Sequence, residues 1–171
     1  MAFETLVTVG VGATIGLLVL SAFFSSSETA IFSLPVSWID EQAATGEPRA
    51  KLLQGLRNDP HRLLVTLLVG NNVVNVAISS IVTVLLTRML PTGTAVVAAT
   101  ILVSVVVLIF GEIVPKSVGL GNAQSWALTV AKPVRLTEQA LSPIVTVMDA
   151  VTRWIGGHLS GDVHIEEHLL D

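Results

Sequence analysis

The chain has 171 residues, 51% of them hydrophobic and 13% charged, with a formal net charge of −4 and a mean hydropathy of +0.76. A soluble domain carries roughly twice that charged fraction, so a water-exposed globular fold is excluded. Cysteine is absent, which removes disulfides and thiolate metal sites.

The first element is an uncharged run from Thr5 to Ser27. Only Glu4 precedes it as a charge, so it lacks the positive flank of a secretory leader, and it is longer than a usual leader core. It is expected to stay in the chain as a span. Two further uncharged runs follow, Leu63 to Thr87 and Met89 to Gly111. Each exceeds the roughly 20 residues that cross a bilayer core of about 30 Å. The expected fold is therefore an all-α integral membrane domain with three transmembrane helices.

Between the first two runs the pattern is that of an amphipathic helical hairpin. Pro35 opens one arm at Ser37–Glu41, Thr45-Gly46-Glu47-Pro48 breaks it, and Ala50–Leu56 forms the second arm before Asn58-Asp59-Pro60. Trp38, Leu52, Leu53 and Leu56 give the hairpin an apolar side that suits the inner leaflet or the spans. After Lys116 come two helical stretches, Ala123–Ala131 and Leu136–Ile155, punctuated by Pro133 and Pro143 and carrying the interface residues Trp126, Lys132, Arg135 and Trp154. They are expected as inner-face juxtamembrane helices, a fourth span being the alternative. Residues 156–171 resemble the start of a truncated acidic cytoplasmic helical region, leaving 1–155 as the membrane domain.

Positive charge collects on the cytoplasmic side of short loops. Arg49, Lys51, Arg57 and Arg62 lie before the second run, Arg88 alone lies before the third, and Lys116, Lys132, Arg135 and Arg153 follow it. This places the N-terminus outside and the C-terminus in the cytoplasm of a multi-pass cell-membrane protein.

Polar groups inside spans are costly and mark ion or substrate paths. Ser21 and Ser25 stack on one helical face, and Glu28 and Thr29 continue that stripe. Asn71, Asn72 and Asn75 interrupt the second run, and Gly111-Glu112-Ile113-Val114-Pro115-Lys116 ends the third. Pro115 has no N–H and clashes with the carbonyl of Gly111, so the helix is expected to break there and release carbonyl ligands. Hydroxyls, amide oxygens, carbonyls and one carboxylate form an all-oxygen set that suits Mg²⁺ or Ca²⁺. Ordinary roles compete: back-bonding serines, asparagines that glue helices, and a Glu112–Lys116 ion pair. The histidines are read as solvated, and no Ser-His-Asp set or His-rich motif indicates an enzyme. Small residues four apart, Gly12 with Gly16 and Ala95 with Ala99, suit close helix packing within one subunit or between two.

The motifs Ser21-x-x-x-Ser25-Ser26-Ser27-Glu28-Thr29-Ala30, Gly70-Asn71-Asn72 and Gly111-Glu112-Ile113-Val114-Pro115-Lys116 resemble, in order and spacing, the transmembrane domain of the CorC/CNNM (cyclin M) family. The resemblance implies a homodimer that exports Mg²⁺, coupled to Na⁺ entry, through a site holding dehydrated Mg²⁺. It points to Ser21, Ser25, Asn72, the Gly111 carbonyl and the Glu112 carboxylate as metal ligands, with Ser26, Asn71, Asn75, Pro115 and Lys116 flanking them. Expected partners are Mg²⁺, Na⁺, the bilayer and a second copy of the chain, and not nucleic acid. A membrane Mg²⁺ sensor or scaffold that binds without carrying is the alternative.

Overall fold

Charge-free apolar sequence, interrupted by prolines at the turns, becomes seven α-helices and one π-helical segment in the computed structural model, which describes residues 2–159. Helix α1 (Ala2–Ser33) ends where Pro35 disfavours helical geometry for Leu34. Pro35 then stands as the extended cap of α2 (Val36–Ala44). Gly46 takes φ +92°, the left-handed conformation that lets the chain reverse into α3 (Pro48–Arg57). Asp59 caps α4 (Pro60–Thr87), its carboxylate accepting from the Arg62 N–H at 3.0 Å, with Pro60 in the first turn. The expected hairpin is present.

The third apolar run does not break. Helix α5 (Thr92–Val106) widens into a π-helical segment (Val107–Ile113) and continues as α6 (Val114–Gly121). Pro115 deprives the Gly111 carbonyl of its α-helical donor, and an i→i+5 pattern such as Val114 N–H to the Ile109 carbonyl absorbs the misfit. The proline therefore produces a bulge inside a continuous span. Glu4–Ser33, Pro60–Thr87 and Thr92–Gly121 are the three described helices long and apolar enough to cross a membrane. Their outer faces carry exposed Val9, Val19, Val76, Val97, Ile101 and Phe110, as hydrocarbon contact requires.

After Asn122 the chain turns into α7 (Ala123–Leu159), which runs unbroken through Pro133 and Pro143 where two separate stretches were expected. Both prolines lie away from its buried stripe of Ala127, Val130, Ala131, Val134, Glu138 and Val145. The carbonyls they free need no partner from the protein, so the packed face holds the helix together. Residues beyond Leu159, on which most of the expected cytoplasmic region falls, lie outside the described residues.

Helix α1 packs against α4, α6, α7 and the π-helical segment, and α7 also packs against α3 and α4. Phe24, Ile31, Leu63, Leu67, Val74 and Ile78 form the core between α1 and α4; Ile39, Leu53, Val130 and Val134 extend it among the shorter helices. Arg62 of α4 and Arg135 of α7 share the carboxylate of Glu138 at 2.9 and 2.6 Å, and Arg62 also donates to Ser142 Oγ at 2.8 Å. The α2–α3 hairpin and the start of α7 therefore sit at one end of the spans.

Close approach makes Gly119 the tightest point of the α1–α6 contact. A Cβ there would lie 2.4 Å from the Ser26 carbonyl oxygen, a backbone atom that cannot swing aside. Gly55, inside α3, has nothing within 4 Å of such a Cβ. Gly119→Ala should therefore lower the thermal unfolding midpoint, at a cost of about 1–3 kcal/mol. Gly55→Ala should raise it, gaining roughly 0.5–1 kcal/mol of helix propensity. Thermal unfolding of both variants in detergent checks the opposite signs.

Candidate functional site

The polar residues of the three motifs fall into two joined groups. In the first, Ser21 is fully buried on α1 and its Oγ lies 2.9 Å from Asn71 Oδ1 and 2.8 Å from Asn75 Oδ1. A hydroxyl has one proton, so it satisfies one of those oxygens and leaves the other open to a further donor or a cation. Gly111 presses on the same hydroxyl: a Cβ at 111 would sit 2.8 Å from Ser21 Oγ. The glycine thus brings the π-helical segment, with its weakened backbone bonding, directly onto Ser21 and through it onto α4.

The second group lines a groove of about 470 Å³ between α4 and the third span. Asn72, Asn75 and Ser79 enter from α4, and Ser104 and Glu112 from α5 and the π-helical segment, among Val76, Val103, Val107 and Leu108. Asn75 belongs to both groups. Glu112 supplies the carboxylate. Positions 104 and 112 would lie about 80° apart in a regular α-helix at 100° per residue; the wider π turn between them lets both line one groove.

Lys116 does not pair with Glu112. Its Nζ lies 3.4 Å from Glu28 Oε2, across the contact between α6 and α1. No hydrogen bond or ion pair engages the Glu112 carboxylate among the described residues. The competing reading of Glu112 as the mate of Lys116 is therefore not the arrangement found.

The remaining candidates divide. Ser25 is buried and its Oγ has no hydrogen-bond partner, as is also true of Ser27. An unsatisfied buried hydroxyl costs about 1–3 kcal/mol, so the protein alone gives Ser25 no reason to be polar. Ser26 faces elsewhere, donating to the Phe23 carbonyl at 3.2 Å and accepting from the Trp126 indole N–H at 3.1 Å. Pro115 lines a separate apolar cavity with Val19, Phe23, Val118 and Trp126. Ser26 and Pro115 thus serve packing and helix shape. Ser79 and Ser104 escaped the sequence reading, although Asn72, Asn75 and Ser79 recur at intervals of three and four, the spacing of one helical face.

Among the described residues no three His, Cys, Asp or Glu side chains gather as a metal cluster. A cation in this groove would rest on one carboxylate and neutral oxygens, a set that fits a hard ion.

Three long apolar helices, two of them flanking a polar groove, define a multi-pass α-helical membrane domain. The chain belongs to the cyclin M (CNNM) family, whose transmembrane N-terminal domain matches residues 12–170. It is 40% identical over 132 residues to a chloroplast DUF21 domain-containing protein of Arabidopsis thaliana, covering 77% of this chain and 20% of that protein. It is 32% identical over 137 residues to the inner membrane protein YfjD of Escherichia coli, covering 80% of this chain and 32% of that one. A UPF0053 protein of Synechocystis is 32% identical over 132 residues, 77% of this chain and 38% of its own length. The chain therefore spans between a fifth and two fifths of these relatives.

The Ser21–Gly111 contact predicts a compensating pair. Gly111→Ala should destabilise the fold by about 1–3 kcal/mol, because its Cβ displaces the Ser21 hydroxyl from Asn71 and Asn75. In a Ser21→Ala background the nearest Ser21 atom left is its Cβ, at 3.4 Å. Most of the loss should then vanish, and unfolding midpoints of the two single variants and the double variant measure it.

Proposed function

We propose that this domain carries Mg²⁺ across the membrane, exporting it in exchange for entering Na⁺, through the groove between α4 and the third span. The observation that carries the reading is the disposition of Glu112. Its carboxylate faces the groove beside Asn72, Asn75, Ser79 and Ser104 while the nearby ammonium of Lys116 is engaged by Glu28. A carboxylate at span depth is costly unless something positive answers it. The spare amide oxygen beside Ser21 belongs to α4, the unpartnered Ser25 hydroxyl lies one turn beyond Ser21 on α1, and membership in the cyclin M family supports an ion as cargo. We assign Ser21, Ser25, Asn72, the Gly111 carbonyl and Glu112 as ligands along the path.

The orientation proposed is N-terminus outside and C-terminus cytoplasmic. It rests on the basic residues of the hairpin and of α7, which share one end of the spans. Ala95 and Ala99 are fully buried within the protomer, so their spacing serves packing inside one subunit. Gly12 and Gly16 have nothing within 4 Å of an added Cβ. That open small-residue face of α1 supports a homodimer.

Glu112→Gln keeps the shape and removes the charge. It should abolish Mg²⁺ binding in a calorimetric titration, while the protein still folds. Ser25→Ala should weaken binding only in part, since carbonyls and water replace one hydroxyl. Undiminished binding by Glu112→Gln would place the site elsewhere. Proteoliposome flux with and without a Na⁺ gradient then decides between carriage and sensing, because binding without flux identifies a sensor.

The dimer is checked by mass measurement in mild detergent and in bilayers. A dimeric mass is expected for the parent, and a monomer in both media would count against the α1 face.

A further inference from the structure

The Glu28–Lys116 bridge joins two elements held at contact distance, because Gly119 of α6 lies directly against the Ser26 backbone of α1. Lys116 also stands four residues after Glu112, and Glu-to-Lys at that spacing is the favourable order for a helical ion pair. Its ammonium rides a flexible four-carbon stem and its side chain is 44% exposed, so it is free to swing. Lys116 thus holds a carboxylate of α1 and stands four residues along its own span from a second, Glu112.

We infer that Lys116 is a built-in competitor for the cation: it moves between Glu28 when Glu112 holds the ion and Glu112 when the ion has gone. The inference rests on the function proposed above and names what regulates that site. With Lys116 on Glu28, as in the structure, Glu112 faces the groove without a protein partner and is ready for a positive charge. When the ion departs, a bare carboxylate at span depth is left, and Lys116, four residues on in the same span, is a positive group that could answer it. Swinging to Glu112 neutralises the unloaded site. It also releases the bridge that ties α1 to α6, so occupancy and the strength of the α1 contact become linked, each altering the other by the same factor. Glu28, which no ligand assignment uses, becomes the residue that parks the competitor.

A structural bridge and a competitor differ in sign. If Lys116 competes, Lys116→Gln removes the rival and should tighten Mg²⁺ binding by roughly two- to fivefold, the size of a partly exposed ion pair. Glu28→Gln frees Lys116 for Glu112 and should weaken binding by a similar factor. The double variant should bind as Lys116→Gln does, because Glu28 acts only through Lys116. Weakening by both single variants alike, or no change in either, would overturn the inference.

A second readout needs no substitution. A carbodiimide joins a carboxylate to an amine in contact, and mass spectrometry locates the link in the full chain reconstituted in nanodiscs. Expected are a Lys116–Glu112 link in chelator and a Lys116–Glu28 link in saturating Mg²⁺. A Lys116–Glu28 link in both conditions, with the parent still binding Mg²⁺ by calorimetry, defeats the inference and leaves the transport reading standing. A parent that binds no Mg²⁺ defeats the transport reading and this inference with it.

Discussion

The contact between α1 and the third span is the constraint on which the remaining geometry depends. It is closed at two glycines, Gly111 against the Ser21 hydroxyl and Gly119 against the Ser26 backbone. At neither place is there room for a side chain. Van der Waals packing of small residues holds helices together where lipid tails offer no hydrophobic drive, and here it acts where the helix is irregular. The π-helical segment that Pro115 forces is pressed onto α1, and Ser21 passes the contact to Asn71 and Asn75 of α4. Three spans are joined through one hydroxyl.

That joint explains why the polar motifs need not converge on a single point. The stripe of α1 that begins at Ser21 is buried, whereas Asn72 and Glu112 open onto a groove on the α4 side. Asn75 touches both. Shifting α1 relative to the third span would therefore disturb the hydrogen bonds of Ser21 before it reached Glu112. The neutral oxygens and the carboxylate are mechanically coupled while remaining chemically distinct.

Much of this was legible in the chain. Charge-free runs long enough to cross a bilayer set the three spans, the prolines and Gly46 set the turns, and the hairpin formed where its apolar periodicity put it. Membership in the cyclin M family agrees with the motif resemblance. The misreadings share one cause, which is that a proline reports only a missing N–H and not how the helix answers it. At Pro115 the answer is a widened turn, and at Pro133 and Pro143 it is an exposed face that tolerates the loss. Pairing across helices was equally hidden. Lys116 has a carboxylate four residues before it, yet finds Glu28, 88 positions away in sequence, because the Gly119–Ser26 contact sets the two elements side by side. Local spacing shows which partners are within reach on one helix and is silent about those delivered by packing.

One carboxylate among neutral oxygens is also a physical compromise suited to passage. Two or three carboxylates would repay the dehydration of a divalent ion generously and then hold it. Neutral hydroxyls and amides alone would not repay it. A site that must load and release needs binding strong enough to enter and weak enough to leave, and on the proposed function a single negative charge with a rival ammonium four residues on would meet both demands. The same reasoning bears on why Glu28 is tolerated near the C-terminal end of α1. In the cycle proposed above it takes the ammonium while the ion is bound, so that Glu112 would not face the cation and Lys116 together. On that proposal, without an alternative partner Lys116 would settle on Glu112, and the groove would keep its shape while its carboxylate stayed occupied by the protein itself.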